Sequence, residues 1–389
     1  MNTASLSGIQ SSTPVLREAD GIDALLRDIR ARRSEFRAQR HVSSDIVERF
    51  KTIGVYRSLL AKTFGGDEDS PAAFCRLVER ISEADGACGW VASFGVSATY
   101  LAALPMPTLR ELYAGGPDIV FGGGIYPLQP ARRVDGGFIV NGRWKFASGC
   151  MGAMMVSAGI LVDNDQTGGL PRVAVLPADK VRIEENWDVI GLEGTGSHDV
   201  VIEDAFVPEQ WTFVRGSRAS HSSPIGRYPA MALAAQVLAV VGLGVARDAL
   251  RSVTELSGTL ASITGAPGMG QRAYVQLEIA KAEARLRSAR SFFYEQTDAV
   301  WETALAGDAV SVEDAALLRL AASHAARVGA DVSRAAFALA GTAAIYQDNA
   351  LARALSDSLV VAQHAFLAEG TLQSAGQVLL GQSPASGFP

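Results

Sequence analysis

The spacing of apolar positions changes twice along the chain. Between about Ala19 and Ala114 they recur at intervals of three and four. In "GIDALLRDIRARRSEFRAQR", Ile22, Leu25, Leu26 and Ile29 share one face with charges between them, which predicts a helix. "SSDIVERFKTIGVYRSL" opens on a Ser or Asp cap and is expected to stop near Gly54. "SPAAFCRLVERISEADGACGWVASFGVSATYLAAL" predicts two more helices, broken around Asp85 and Gly86. From about Ile119 to Phe213 the pattern shortens to alternation. "ARRVDGGFIVNGRWKF" carries two hairpin signals, Asp135-Gly136 and Asn141-Gly142, on either side of "FIV". "MMVSAGILV", "RVAVLP" and "DVVIEDAFVP" predict further strands of a compact antiparallel unit. After about Ile225 the helical spacing returns in alanine-rich form, in "VQLEIAKAEARLRSARSFFYEQ" and "AALLRLAASHAARVGADVSRAAFALAG". Long helices with small residues at that spacing predict a four-helix bundle.

The pattern divides the chain into a helical domain over 1–117, a β domain over 118–224 and a helical bundle over 225–389. With 389 residues, 48% of them hydrophobic, the chain can bury a large core. The segment from Tyr228 to Ala246 is as long as a membrane span. It is rich in Ala and Gly, and Arg247, Asp248 and Arg251 follow on the same helix, so it is read as a buried bundle helix and no membrane partner is expected. A net charge of −6 without basic runs argues against nucleic acid. Cys75, Cys88 and Cys150 lack metal spacing and suit a reducing cytoplasm as small core residues. The polar start, "MNTASLSGIQSSTPVL", is read as a frayed tail without a leader pattern.

Motifs alone exclude more than they assign. There is no Walker loop and no G-x-S-x-G elbow. The cluster "FGGGIYPL" lacks the strand, GxGxxG and helix of a dinucleotide site. His41, His198, His221, His324 and His364 have no metal spacing, and no metal site is expected. To this point the chain is a large α+β protein.

Two longer stretches carry a resemblance. "WDVIGLEGTGSHDVVIEDAFVPEQWTF" (187–213) has a Gly-Thr-Gly-Ser turn before a strand that leaves through Val-Pro, and "GTAAIYQDNALARALSD" (341–357) sets Arg353 and Asp357 one helical turn apart. With the order helices, β unit, bundle, these resemble the acyl-CoA dehydrogenase superfamily over nearly the whole chain. The fold implied is an N-terminal helical domain, a central antiparallel β-barrel domain and a C-terminal four-helix bundle. The dehydrogenases' Thr-Glu-Pro and Gly-Ser-Asp signature is missing. "GRWKFASGC" (142–150) and "DGACGWVASFGVS" (85–97) resemble instead the oxygenase components of two-component flavin-dependent monooxygenases, which hydroxylate phenols and steroid-derived aromatics.

That resemblance implies reduced flavin (FADH2 or FMNH2) delivered by a separate NAD(P)H:flavin reductase, O2 as co-substrate, a small aromatic substrate and a homotetramer. Reduced flavin and oxygen form a C4a-(hydro)peroxide, which must be sheltered from water and stray protons. Ser148 in "FASG" matches the family's serine beside the flavin, and its alternative is a turn serine. His364 matches a histidine expected to act as general base on the substrate, and its alternative is a core histidine. Homologues often carry two more histidines, where this chain has Leu359 and Ser97 or Ala98. A site with one histidine favours a substrate that is already nucleophilic, such as an indole, an amine or a sulfide.

A second candidate stands five residues on. "AEGTLQSAGQVLLG" resembles the dehydrogenases' Tyr-Glu-Gly-Thr segment, whose glutamate removes an α-proton from an acyl thioester, which makes Glu369 the base of an alternative reading. Ala368 replaces the tyrosine, and on a shared helix five residues turn a side chain by about 140° away from His364. His364 is therefore preferred. Trp90, Arg251, Gln271 and Arg353 are further flavin-contact candidates, because aromatic faces, cations and amides hold flavin rings and phosphates. Phe94, Tyr100 and Phe366 are the substrate-pocket candidates, and Trp144 is read as β-domain core. A third alternative is a scaffold that retains the fold without turnover.

Overall fold

The computed structural model describes residues 19–384, apart from 164, 166, 168, 260–264 and 266. The polar N-terminal stretch lies outside the described residues. Seven helices lead in: α1 (Ala19–Ala31), α2 (Arg33–Gln39), α3 (Ser44–Thr52), α4 (Pro71–Ala84), α5 (Gly86–Ser93), α6 (Ser97–Leu101) and α7 (Met106–Leu112). The first predicted helix is thus two, parted at Arg32. The break at Asp85 has a local cause: its carboxylate accepts the Cys88 N–H at 2.9 Å and caps α5, while its own N–H still closes α4 on Ile81 O.

The strands are β1 (Phe121–Val134), β2 (Gly137–Trp144), β3 (Met155–Leu161), β4 (Arg172–Pro177), β5 (Arg182–Glu184), β6 (Asp199–Pro208) and β7 (Thr212–Val214). They form one sheet in the order β5-β6-β2-β1-β3-β4-β7. The expected antiparallel barrel is corrected on two counts. β1 and β3 are parallel, because the chain reverses after β1 and again after β2, then places β3 on the free edge of β1. Among the described residues no pairing joins β5 to β7, so the sheet is mixed and open. Asp135-Gly136 does turn the β1–β2 hairpin, whereas Asn141-Gly142 lies inside β2, where the register against β6 shifts and Gly142 takes φ +153°. "FGGG" is the start of β1 rather than a phosphate loop. Trp144 is fully buried and donates to Gly159 O at 2.8 Å.

Beyond the sheet come α8 (Pro224–Arg227), α9 (Ala230–Thr259), α10 (Ala273–Ala306), α11 (Val312–Ala340), α12 (Ala350–Ala362) and α13 (Glu369–Leu379). α9, α10, α11 and α12 pack together as expected, and α13 adds a fifth helix against α11. α9 is long and apolar enough to cross a membrane, but 83% of its most apolar window is buried inside the protein. The largest core runs without interruption from α1, α3, α4 and α5 into α9, α10, α11 and α12. One close approach in it needs glycine: a Cβ on Gly244 of α9 would stand 2.4 Å from the Glu79 carbonyl of α4. The sheet is covered on both sides, with Val156, Ala158, Ala174 and Leu176 in one cluster and Met155, Val173 and Val175 in another beside α6 and α7. All three cysteines are free and buried.

Candidate functional site

Two glycine-containing loops meet first. The Ala147 N–H donates to His198 O at 3.0 Å, the Gly149 N–H to Thr195 O at 3.3 Å and the Cys150 thiol to Gly196 O at 3.3 Å, so "FASGC" is laced to "GTGSH". Ser148, buried at this seam, lies 2.7 Å from Ser197 Oγ, which is 2.8 Å from Thr195 Oγ1. Thr195 Oγ1 lies 2.9 Å from Leu192 O, and the Trp90 indole N–H donates to Ser148 Oγ at 3.1 Å.

Each hydroxyl has one proton and two lone pairs, so the hydroxyl chain runs in one direction along its whole length. With the Thr195 proton on the Leu192 carbonyl, Ser197 donates to Thr195 and Ser148 to Ser197; with the Thr195 proton on Ser197, the order reverses and the Ser148 proton points into the site. In the first order Ser148 accepts from Trp90 and has one lone pair left. That lone pair would be open to an N–H of a bound reduced flavin.

Trp90 links Ser148 to the histidine. Its ring stands edge-on to His364 at 5.8 Å between centroids, and His364 stands edge-on to Phe366 at 5.2 Å. His364 precedes a 3-10 turn at Ala365–Leu367, and its Nδ1 accepts the Phe366 backbone N–H at 3.2 Å. A neutral imidazole with Nδ1 so occupied carries its proton on Nε2. Burial, then the charges of Arg215 and Arg319, pushes the His364 pKa down to about 4. At neutral pH the ring is therefore an N–H donor, with no free lone pair and little basicity. That state does not favour the general-base role expected for His364.

The two cations stand beyond the rings. Phe366 has the Arg215 guanidinium 4.9 Å and the Arg319 guanidinium 5.5 Å from its centroid, and Arg215 is 5.6 Å from the Tyr100 ring. Arg215 follows β7, and Arg319 is buried on α11, donating to Thr371 Oγ1 at 3.4 Å. Thr371 in turn donates to Phe366 O at 3.0 Å.

Glu369 is elsewhere. It opens α13, its side chain is 88% exposed, and its ion-pair partner is Arg327 at 3.7 Å. That exposure sets it apart from the buried Trp90 and Ser148. Among the described residues no hydrogen bond or ring contact joins Arg251, Gln271 or Arg353 to Trp90, Ser148 or His364. Arg251 pairs with Asp248 and Glu255. Gln271 is exposed before α10. The Arg353 pKa is lowered by burial and by Arg33, against the pull of Asp85, Asp357 and Asp248. Of the pocket candidates, Arg215 brings Tyr100 and Phe366 together, while Phe94 packs against the helical core. No group of metal-binding side chains occurs among the described residues.

Sequence reasoning missed Ser197 and Thr195 as partners of Ser148, though "GTGS" had served as a fold marker. It also missed both arginines. Arg319 left a signal, a lone cation in "AALLRLAASHAAR"; Arg215 left none.

Comparisons with known proteins show the family of the chain. The family model for the acyl-CoA dehydrogenase C-terminal domain matches residues 236–369. The chain is 52% identical to the indole-3-acetate monooxygenase of Pseudomonas putida over 375 residues, 96% of each chain. It is 28% identical to the FADH(2)-dependent resorcinol hydroxylase, oxygenase component, of a Rhizobium species over 370 residues, 89% of each chain. The crystal structure of 3-HSA hydroxylase from Rhodococcus sp. RHA1 matches with a TM-score of 0.88 at 25% identity, covering 96% of this chain and 98% of that one.

Proposed function

We propose, because the chain belongs to the two-component flavin-dependent monooxygenases of the acyl-CoA dehydrogenase superfamily as an oxygenase component, that it oxygenates a ring already rich in electrons, an indole. The observation that carries this reading is the state of His364. Its Nδ1 is occupied and its pKa is near 4, so it is poorly suited to deprotonate a phenol. An indole needs no such base. Indole-3-acetate, named for the Pseudomonas putida relative, is the first candidate.

Reduced flavin, FADH2 or FMNH2 from a separate reductase, supplies the activated oxygen when bound. The chain supplies the surroundings. Ser148 would hydrogen-bond the edge of the flavin ring, the Trp90 and Phe366 rings would keep water from the reacting face, and the His364 Nε2–H would donate to an oxygen gaining charge there. Exposed Tyr274, Leu277, Ile345 and Tyr346 support assembly through the C-terminal helices, with a tetramer as the family expectation. The test supplies reduced flavin and oxygen with either indole-3-acetate or a p-substituted phenol, and measures oxygenated product per oxygen consumed. Well-coupled turnover of the indole is expected; a clear preference for the phenol would overturn the reading. The exposure of Glu369 speaks against the dehydrogenase alternative.

A further inference from the structure

Most arginines of this chain have carboxylates beside them. Arg247 meets Glu283 at 2.7 Å, Arg290 meets Glu79 at 2.7 Å and Arg33 meets Asp248 at 2.8 Å. Arg215 is an exception. Among the described residues no carboxylate pairs with it, and its guanidinium stands over the Tyr100 and Phe366 rings. Arg319 approaches the same Phe366 ring, and burial together with the Arg215 charge lowers its pKa to about 10. A guanidinium held among rings with no carboxylate beside it is costly unless an anion reaches it.

The order of contacts says which anion. From Ser148 the site runs through Trp90 and His364 to Phe366, and the guanidinium groups come after the rings. A flavin held at Ser148 and a flat substrate beside His364 would put the far end of that substrate toward Arg215. We propose that Arg215, with Arg319 behind it, anchors the carboxylate of an arylacetate substrate and so selects acids over neutral indoles. This rests on the indole reading above but adds a residue-level determinant to it. Guanidinium groups suit the task because they stay charged and bind carboxylates through paired N–H groups. Tyr100 lends a third donor: burial pushes its pKa up to about 12, so the hydroxyl keeps its proton, and it donates to no described residue.

The test compares indole-3-acetate with its neutral isostere indole-3-acetamide in wild type, Arg215→Gln and Arg215→Lys, reading kcat/KM with reduced flavin in excess. Wild type is expected to prefer the acid by roughly 10- to 100-fold, the scale of one charge-assisted pair. Arg215→Gln should remove most of that preference by raising KM for the acid, with the amide changed by less than about threefold and Arg215→Lys intermediate. An unchanged preference in Arg215→Gln, or none in wild type, would overturn the anchor while leaving indole oxygenation intact. Loss of reduced-FMN affinity in Arg215→Gln, with the acid preference kept, would overturn it too and assign the guanidinium to the flavin phosphate. A third measurement separates the two proposals: calorimetric binding of naphthalene-1-acetate, which carries the acid but no indole. If wild type binds it and Arg215→Gln does not, the anchor stands even where no indole is turned over. If neither variant discriminates it from naphthalene-1-acetamide, the anchor fails.

Discussion

His364 shows how one hydrogen bond changes a residue's chemistry. The Phe366 N–H on Nδ1 and the two nearby arginines make it a donor at neutral pH, so its loss is partly repairable by another donor. His364→Ala is expected to lower kcat by roughly 100-fold, the scale of one lost preorganised donor, and His364→Asn to recover much of it. A general base would leave both variants equally inactive. The pH profile follows from the same shift. Because the folded pKa lies near 4, the neutral form persists from alkaline pH down to about 5, and the His364-dependent limb should fall near 4, not near the ordinary 6.5. A limb between 6 and 7 in wild type, absent from His364→Asn, would refute the donor role. The residue was legible from its family position, but its tautomer was not, because a neighbouring backbone N–H chooses it.

At the level of elements, the loop over 187–198 ties the β unit to α12. The Leu192 N–H donates to Asp357 at 2.6 Å, and Gly191 lies so near Ser356 that a Cβ would stand 2.5 Å from its carbonyl. Burial, reinforced by Asp85, pushes the Asp357 pKa up to about 7, against about 3.9 in an unfolded chain. The folded state therefore binds the proton more tightly, and stability falls as pH rises from about 4 through about 7. Asp357→Asn keeps an oxygen for the Leu192 N–H and removes the titration. Its Tm should change less than that of wild type between pH 6 and 8.5, and parallel declines would contradict the assignment. Sequence spacing identified the Arg353–Asp357 turn as a fold marker. It could not reveal that the acid faces another acid, since Asp85 is distant in sequence and reaches it only through packing.

For the whole molecule, the change of texture from helix to strand to helix was visible in the periodicity, while the arrangement of strands was not. The parallel β1–β3 pair depends on which edge a returning strand takes, and nothing local in "MMVSAGILV" encodes that. Nor do the sequence segments show that the first helices and the bundle share a core. Gly244 offers a direct test of that shared core. Gly244→Val would force α4 and α9 apart at Glu79, and a loss of about 1–3 kcal/mol is expected in denaturant unfolding. No loss would mean that the helices can separate there without cost. Arg215 belongs to this scale as well, since its meaning comes from β7, α6, α11 and the turn after α12 meeting in one place.

The hydroxyl series from Trp90 to Leu192 has a final consequence for proton traffic. It is a wire with a dead end. A relay must accept a proton at one end and release one at the other, but here the last group is a carbonyl with no hydrogen to give. The same carbonyl also receives the Trp187 indole N–H at 3.2 Å and the Thr195 backbone N–H at 3.1 Å, which further fixes its orientation. Ser148 therefore has no proton-releasing group at the inner end of its hydroxyl series.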